Sequence, residues 1–244
     1  MGGTGRRSIR RVALVALLAV ALLVGSSPSR ALEPLGQRQI IPGLSTFLVK
    51  YPTPQVVYVA GVAPSAAVRM KVATPSPGSD GRAPTSVLCR RCYVAVNGGF
   101  FSSSGAPVRG YEPATLAKLL DPELRNSVTS VQWLLRDGVG KPLPDDSFTH
   151  TRHPRTFIFG NRAGTIWFAA VDGRQRHSVG MTLPEVLSFV RELDATWAVN
   201  LDGGCSTTFV VEGTVKNFPC RDSSSVGGER PVANAFVVRP ARRR

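Results

Sequence analysis

Lysine, histidine and long apolar runs are scarce in this chain, and each scarcity closes off a class of function. Only five of the 30 basic residues are lysine (Lys50, Lys71, Lys118, Lys141 and Lys216). Nucleic-acid binders gather Lys and Arg with aromatics on one face or helix. Aromatics make up 7% of this chain and do not interleave with its basic residues, so no nucleic-acid partner is implied. The three histidines, His150, His153 and His177, lie in stretches that read as loops, and no Gly-x-Ser-x-Gly elbow occurs. Serine-hydrolase chemistry needs both an elbow and a placeable His. The four cysteines are Cys89, Cys92, Cys205 and Cys220, and no second Cys/His pair stands at zinc-ligand spacing. Neither a metal nor a cofactor is implied. The longest apolar run, Val12 to Val24, falls short of the roughly 20 residues of a bilayer span.

What is present describes an exported globular chain. Its 244 residues are 43% hydrophobic and 19% charged, with mean hydropathy near zero, far from the composition of a disordered chain. Arg6, Arg7, Arg10 and Arg11 precede the apolar run, and Ser29-Arg30-Ala31 follows it as a small-x-small site. Residues 1–31 therefore read as a secretory signal peptide, with an uncleaved anchor as the alternative. The net charge of +14 needs dissecting. Five arginines leave with residues 1–31, giving +9, and Arg239, Arg242, Arg243 and Arg244 crowd the C-terminus, so the body carries about +5. The tail, residues 241–244, is suited to anionic cell-envelope polymers.

An even cysteine count in an exported chain favours disulfides, and the expected pairs are Cys89–Cys92 and Cys205–Cys220. The first pair is also compatible with a redox site or half a zinc site, but it runs straight into the strand-like 93–96 rather than opening a helix.

Residues 32–43 are expected to form a loose arm, followed by a single domain over 44–240. Strands are predicted over 46–49, 56–60, 67–72, 93–96, 131–135, 156–160, 165–171, 197–201, 209–211, 214–216 and 232–238. Thr182-Leu183-Pro184-Glu185 carries a capping box with Pro in the first turn. Leu183, Val186, Leu187, Val190 and Leu193 then keep helical spacing. A second, shorter helix is predicted over 113–120. The fold class expected is α+β, with a mixed β-sheet core and few helices.

Chemistry is expected at glycine-rich strand ends, where backbone comes close to a ligand. Two stand out: Asn97-Gly98-Gly99-Phe100-Phe101, and Asn200-Leu201-Asp202-Gly203-Gly204-Cys205-Ser206-Thr207-Thr208. The second sets a carboxylate directly after a buried strand, then glycines, then hydroxyls. Arg155 enters a strand at His153-Pro154-Arg155-Thr156, and Glu229-Arg230 precedes the last strand. Carboxylates with arginines are the kit for cleaving a glycosidic bond beside an anionic group.

These motifs resemble the phosphodiester glycosidase family. They are Val96 to Phe101, Val131-Gln132-Trp133-Leu134-Leu135-Arg136-Asp137-Gly138, Arg155-Thr156, Val171-Asp172-Gly173, Asn200 to Gly204, Ser206 to Val210, and Arg230, in family order over residues 93–238. The resemblance implies hydrolysis of a sugar-1-phosphodiester at the sugar C1–O bond. Phosphate leaves readily, so the reaction needs an anion clamp and a carboxylate beside the oxocarbenium-like carbon. It implies Asp202 as base or nucleophile, Glu229 as second carboxylate, and Arg155 with Arg230 on the phosphate. Asn97, with the N–H groups of Gly98, Gly99, Gly203 and Gly204, is expected to orient the sugar, helped by Thr156, Ser206 and Thr207. The family usually has a third Gly where this chain has Cys205. Cys205 narrows that space, or braces the loop if it is bonded to Cys220. The rival readings are a non-catalytic secreted binder of anionic envelope glycans and a cysteine-based redox protein.

Overall fold

Short stretches of alternating apolar residues, separated by Gly, Pro and Asp turns, build almost the whole chain as antiparallel sheet. The computed structural model describes residues 34–76, 80–102, 132–222, 225 and 228–241. The expected signal peptide (residues 1–31), the helix predicted over 113–120 and the last three residues of the basic tail lie outside that set. The strands are β1 (Leu35–Ile41), β2 (Leu44–Tyr51), β3 (Gln55–Val62), β4 (Val68–Ala73), β5 (Val94–Asn97), β6 (Gln132–Arg136), β7 (Val139–Gly140), β8 (Arg155–Asn161), β9 (Ile166–Val171), β10 (Ala195–Asn200), β11 (Phe209–Val211), β12 (Thr214–Val215) and β13 (Ala235–Pro240). Helices among the described residues are α1 (Thr85–Leu88), α2 (Ser147–His150) and α3 (Leu183–Glu192). None is long and apolar enough to cross a membrane. The result is one sheet-rich domain, mainly β rather than evenly α+β.

The first sheet has the order β1-β2-β3-β9-β8-β10-β6-β7, and the second β12-β11-β5-β13-β4. The expected mixed sheet is not what forms: every strand pairing among the described residues is antiparallel. A parallel pair needs a crossover of a dozen or more residues, whereas β1–β2, β2–β3, β6–β7, β8–β9 and β11–β12 are joined by short hairpins. Period-two alternation then gives each sheet two faces. Tyr58, Ala60, Ile158, Phe168 and Val199 of the first sheet meet Val94, Val96, Phe209, Phe236 and Val238 of the second in one buried core. The opposite face of the first sheet packs Phe157, Phe159 and Ala169 under Val186, Phe189 and Val190 of α3. The outer face of the second sheet packs Ala95, Val210 and Val237 against Leu88, Cys89 and Cys92.

The capping box forms as predicted: Thr182 Oγ1 accepts from Glu185 N, and Glu185 Oε2 accepts from Thr182 N. Part of the expected loose arm is instead strand β1, paired with β2 through bulges. Its side chains are mostly exposed, so it carries no apolar alternation that would mark it. The last strand starts at Ala235 rather than at Val232, because Val232 pairs only with Ala83 and Asn234 turns its polar groups to the 97–99 loop. Both disulfides, Cys89–Cys92 and Cys205–Cys220, are present.

Candidate active site

The segment Leu201–Thr208 carries the chain from β10 of the first sheet to β11 of the second, and the loops that meet it come from both sheets. Leu201 N donates to Thr156 O (2.8 Å), Gly204 N to Pro154 O (2.9 Å) and Asp202 N to Gly98 O (3.1 Å). The glycines are what permit this approach. A Cβ on Gly98 would stand 1.8 Å from Asn234 Oδ1, and one on Gly203 would stand 2.7 Å from Pro154 O.

Asn97 ties the seam together. Its side chain is fully buried; Nδ2 donates to Asp202 O at 2.7 Å, and Oδ1 accepts from Thr156 Oγ1 (2.6 Å) and Thr208 N (3.1 Å). The sequence assigned Asn97 and Thr156 to the sugar; the structure turns both inward, onto each other and onto the crossover. Thr207 is also fully buried, with its carbonyl accepting from Asn217.

Asp202 sits at the head of the crossover. Burial, the largest influence, raises its carboxyl to about 6; a hydrogen bond from Ser206, the charge of Arg230 and the N–H of Gly203 pull the other way. A 3-10 turn, Gly204–Ser206, follows it. Two guanidinium groups bracket that turn. Arg230 Nη1 donates to Ser206 Oγ (3.4 Å), while its Nε (2.8 Å) and Nη2 are held by Asp222 Oδ2. On the other side Arg174 Nη1 lies 3.9 Å from Cys205 Sγ and Nη2 donates to His153 Nδ1 (3.2 Å). Donation from Arg174 requires a neutral imidazole, and burial followed by the charges of Arg155 and Arg174 lowers the His153 pKa in that direction. Among the described residues no carboxylate pairs with Arg174.

An open cleft of about 750 Å³ adjoins this turn, walled by Arg174, Cys205, Phe218, Cys220, Glu229 and Arg230. Asp202, half-buried, is not part of that lining; it is joined to the turn through its hydrogen bond with Ser206 and feels the charge of Arg230. The far wall of the cleft is positioned by a second buried carboxylate, Asp172, which accepts from Asn217 Nδ2 (3.1 Å), Phe218 N (2.9 Å) and His177 Nε2 (3.1 Å). Burial raises its pKa as well.

Arg155 does not face this cleft as an anion clamp. It is 1% exposed, and Nε donates to Met181 O (2.9 Å) while Nη2 donates to Phe148 O (2.6 Å) and Thr151 O (3.0 Å). Three of its five N–H donors therefore close backbone carbonyls around α2, and desolvation lowers its pKa to about 10. Glu229 lines the cleft but is occupied too: its carboxylate accepts from Ser86 N (3.1 Å) and Ser86 Oγ at the start of α1.

Two contributors had no role assigned from the sequence: Asp172, named only within a family motif, and Arg174. Asp172 had a readable signal: Val171-Asp172-Gly173 repeats the pattern of Leu201-Asp202-Gly203, a carboxylate leaving a buried strand before a glycine. Arg174 had only the weak Asp172-Gly173-Arg174 run; its distinguishing feature is a left-handed backbone (φ 58°), unusual for a side chain of its size. Among the described residues no group of three or more His, Cys, Asp or Glu side chains converges to hold a metal.

Comparison with known proteins agrees with this architecture. The mouse (Mus musculus) N-acetylglucosamine-1-phosphodiester alpha-N-acetylglucosaminidase is 28% identical over 182 residues, covering 54% of this chain and 35% of that protein. The bovine (Bos taurus) protein of the same name is 37% identical over 79 residues, covering 31% of this chain and 15% of its own length. The chain thus spans about a third or less of these curated relatives. The zebrafish catalytic domain of that name, solved in a form auto-inhibited by its pro-peptide, superposes with a TM-score of 0.59 at 20% identity, over 88% of this chain and 85% of that one. At that identity it establishes the shared fold. Residues 109–239 match the phosphodiester glycosidase family, so this chain belongs to that family.

Proposed function

We propose that this chain hydrolyses a sugar-1-phosphodiester, such as an N-acetylglucosamine-1-phosphate diester, at the C1–O bond. Water adds across that bond, giving the free sugar and a phosphomonoester still joined to its aglycone. The observation that carries this reading is the pair of guanidinium groups, Arg174 and Arg230, on either side of the turn that follows Asp202 and at the wall of one cleft. A phosphodiester held between them places its leaving oxygen under two cations, which offsets the charge that develops as the bond breaks. Asp202 then supplies the carboxylate for the sugar carbon, as nucleophile or as base for water. Asn97 holds the backbone of Asp202 rather than the sugar, and Arg155 holds the loops behind it. Ser206 links Asp202 to Arg230, so the carboxylate and the clamp are set by one hydroxyl. The two disulfides support an exported protein acting at the cell envelope or outside it.

The test is a panel of sugar-1-phosphodiesters assayed for free sugar, with Asp202→Asn and Arg174→Gln beside the wild type. Asp202→Asn is expected to lose at least a hundredfold in kcat, and Arg174→Gln to lose activity on phosphodiesters while the fold persists. Full activity in Asp202→Asn would sink the assignment. A chain that binds anionic glycans with Asp202→Ala affinity unchanged and releases no sugar would instead be the non-catalytic binder.

A further inference from the structure

The outer face of the second sheet holds a group of cations that the cleft does not use. Arg239 on β13 pairs directly in register with Arg69 on β4, and directly opposed residues project to the same face. On β13 that face carries Ala235 and Val237, and on β4 Ala73, all packed in the outer cluster with Leu88, Cys89 and Cys92, so the two guanidinium groups sit on the side away from the first sheet. Like charges directly opposed on neighbouring strands repel. Here the conflict is compounded, because the Nε atoms of both Arg69 and Arg239 are buried with no hydrogen-bond partner, as is that of Arg82 just before α1. Unpaired buried donors are rare in folded proteins and call for an explanation. Arg239 Nη2 reaches Leu88 O (3.2 Å), and burial together with the charge of Arg69 lowers the Arg239 pKa. Among the described residues no carboxylate pairs with Arg69 or Arg239, nor with the exposed Arg90 and Arg91 in the turn closed by Cys89–Cys92.

We propose that Arg69 and Arg239 form an anion site on this face that holds a phosphate of a linear phosphodiester polymer. Two guanidinium groups that no carboxylate neutralises match the oxygens of a phosphate, and a bound anion relieves the repulsion between them. The four-residue α1 relates this site to the cleft: Ser86 holds Glu229 on the cleft side and Leu88 holds Arg239 on the other. A polymer long enough to cross α1 engages both places, and the second contact becomes intramolecular. Arg90 and Arg91 extend the positive surface beyond Leu88 for further phosphates.

The probe is a poly(glycerol phosphate) chain, with inorganic phosphate and single-stranded DNA of equal charge as comparators, bound to the wild-type mature protein at physiological salt. Arg69→Gln/Arg239→Gln is expected to weaken binding of the polymer at least tenfold, while Arg162→Gln, on an exposed turn far along the chain, leaves it unchanged. Equal loss in Arg162→Gln, or no loss in the double variant, overturns the site. DNA binding as tight and as dependent on the pair shows a surface that reads charge alone and overturns the ligand class. Because the double variant could fold poorly, arginine modification by phenylglyoxal on the wild type gives a second readout. The polymer is expected to protect Arg69 and Arg239 and to leave Arg162 reactive; equal reactivity with and without polymer overturns the proposal. Binding needs no turnover, so a chain that releases no sugar yet binds through this pair leaves the site standing and removes only the reaction.

Discussion

Removing the side chain of Asn97 separates a structural hub from a sugar ligand more sharply than any other substitution at the seam. Asn97→Ala deletes a donor to Asp202 O and an acceptor shared by Thr156 Oγ1 and Thr208 N. All three partners lie in a region where the Asn97 side chain is fully buried, so water does not replace it freely. Each orphaned buried group costs about 1–3 kcal/mol; with the Thr156 hydroxyl free to rotate, the two remaining groups cost roughly 2–6 kcal/mol. That is a large share of the about 5–15 kcal/mol that holds a typical domain together. Urea unfolding followed by the fluorescence of Trp133, Trp167 and Trp197 measures it. With m of roughly 2–3 kcal/mol/M, the midpoint is expected to fall by about 1–3 M at unchanged m. Asn97→Asp keeps the acceptor for Thr156 and Thr208 but turns an oxygen toward Asp202 O, so it should be no better than alanine. A midpoint shift below about 0.3 M with activity abolished would refute the hub and restore the sugar-orienting role.

Two further outcomes follow from the same geometry. The carboxyl of Asp202 holds its proton more tightly in the folded state, near pH 6 against 3.8 for the free group. Stability tied to it is therefore present below pH 4 and lost as pH rises to about 6. The loss is about 3 kcal/mol. Asp202→Asn should flatten that slope in unfolding experiments at pH 4 to 7 and be the more stable protein at pH 7. The wild-type rate should rise through pH about 6, and a rate that falls there would make Asp202 an acid rather than a base. Gly98→Ala sets a Cβ against Asn234 Oδ1 and should cost about 1–3 kcal/mol or more. Adding Asn234→Ala should recover only part of the loss in thermal unfolding, since Asn234 O still stands 3.1 Å from that Cβ and Gly99 N loses its acceptor.

Local pattern made much of the fold legible and little of the site's division of labour. The hairpin at 156–171, the capped helix at Thr182 and the strand into Asp202 all follow from periodicity and turn chemistry within a few residues. The disulfide pairs followed from an even count and short loops. What failed depended on partners far along the chain. Arg155 looks like a loop cation beside a strand, and only the approach of Met181, 26 positions away, turns it into a buried brace. Asn97 looks like a ligand at a glycine-rich strand end, yet its partners lie 59 to 111 positions away. Strand β1 was hidden because its side chains face solvent, where no apolar alternation is required.

The placement of the site follows from the way the two sheets are joined. A chain leaving β10 for β11 must change sheets, and its backbone cannot be satisfied by either ladder while it crosses. Asn97, Pro154 O, Thr156 O and Gly98 O supply those missing partners, and each of them stands at a strand end or just before a strand begins. This requirement alone forces Asp202 into a narrow, desolvated seam, which is what raises its proton affinity. The seam then needs cations at its mouth if a carboxylate is to ionise there, and Arg230 provides one through Ser206 while Arg174 stands across the turn. Cys205, bonded to Cys220, lies between the two and links the turn to the wall that Asp172 holds through Asn217 and Phe218. The residue that departs from the usual glycine is thus the cross-link between the Asp202 turn and the cleft wall.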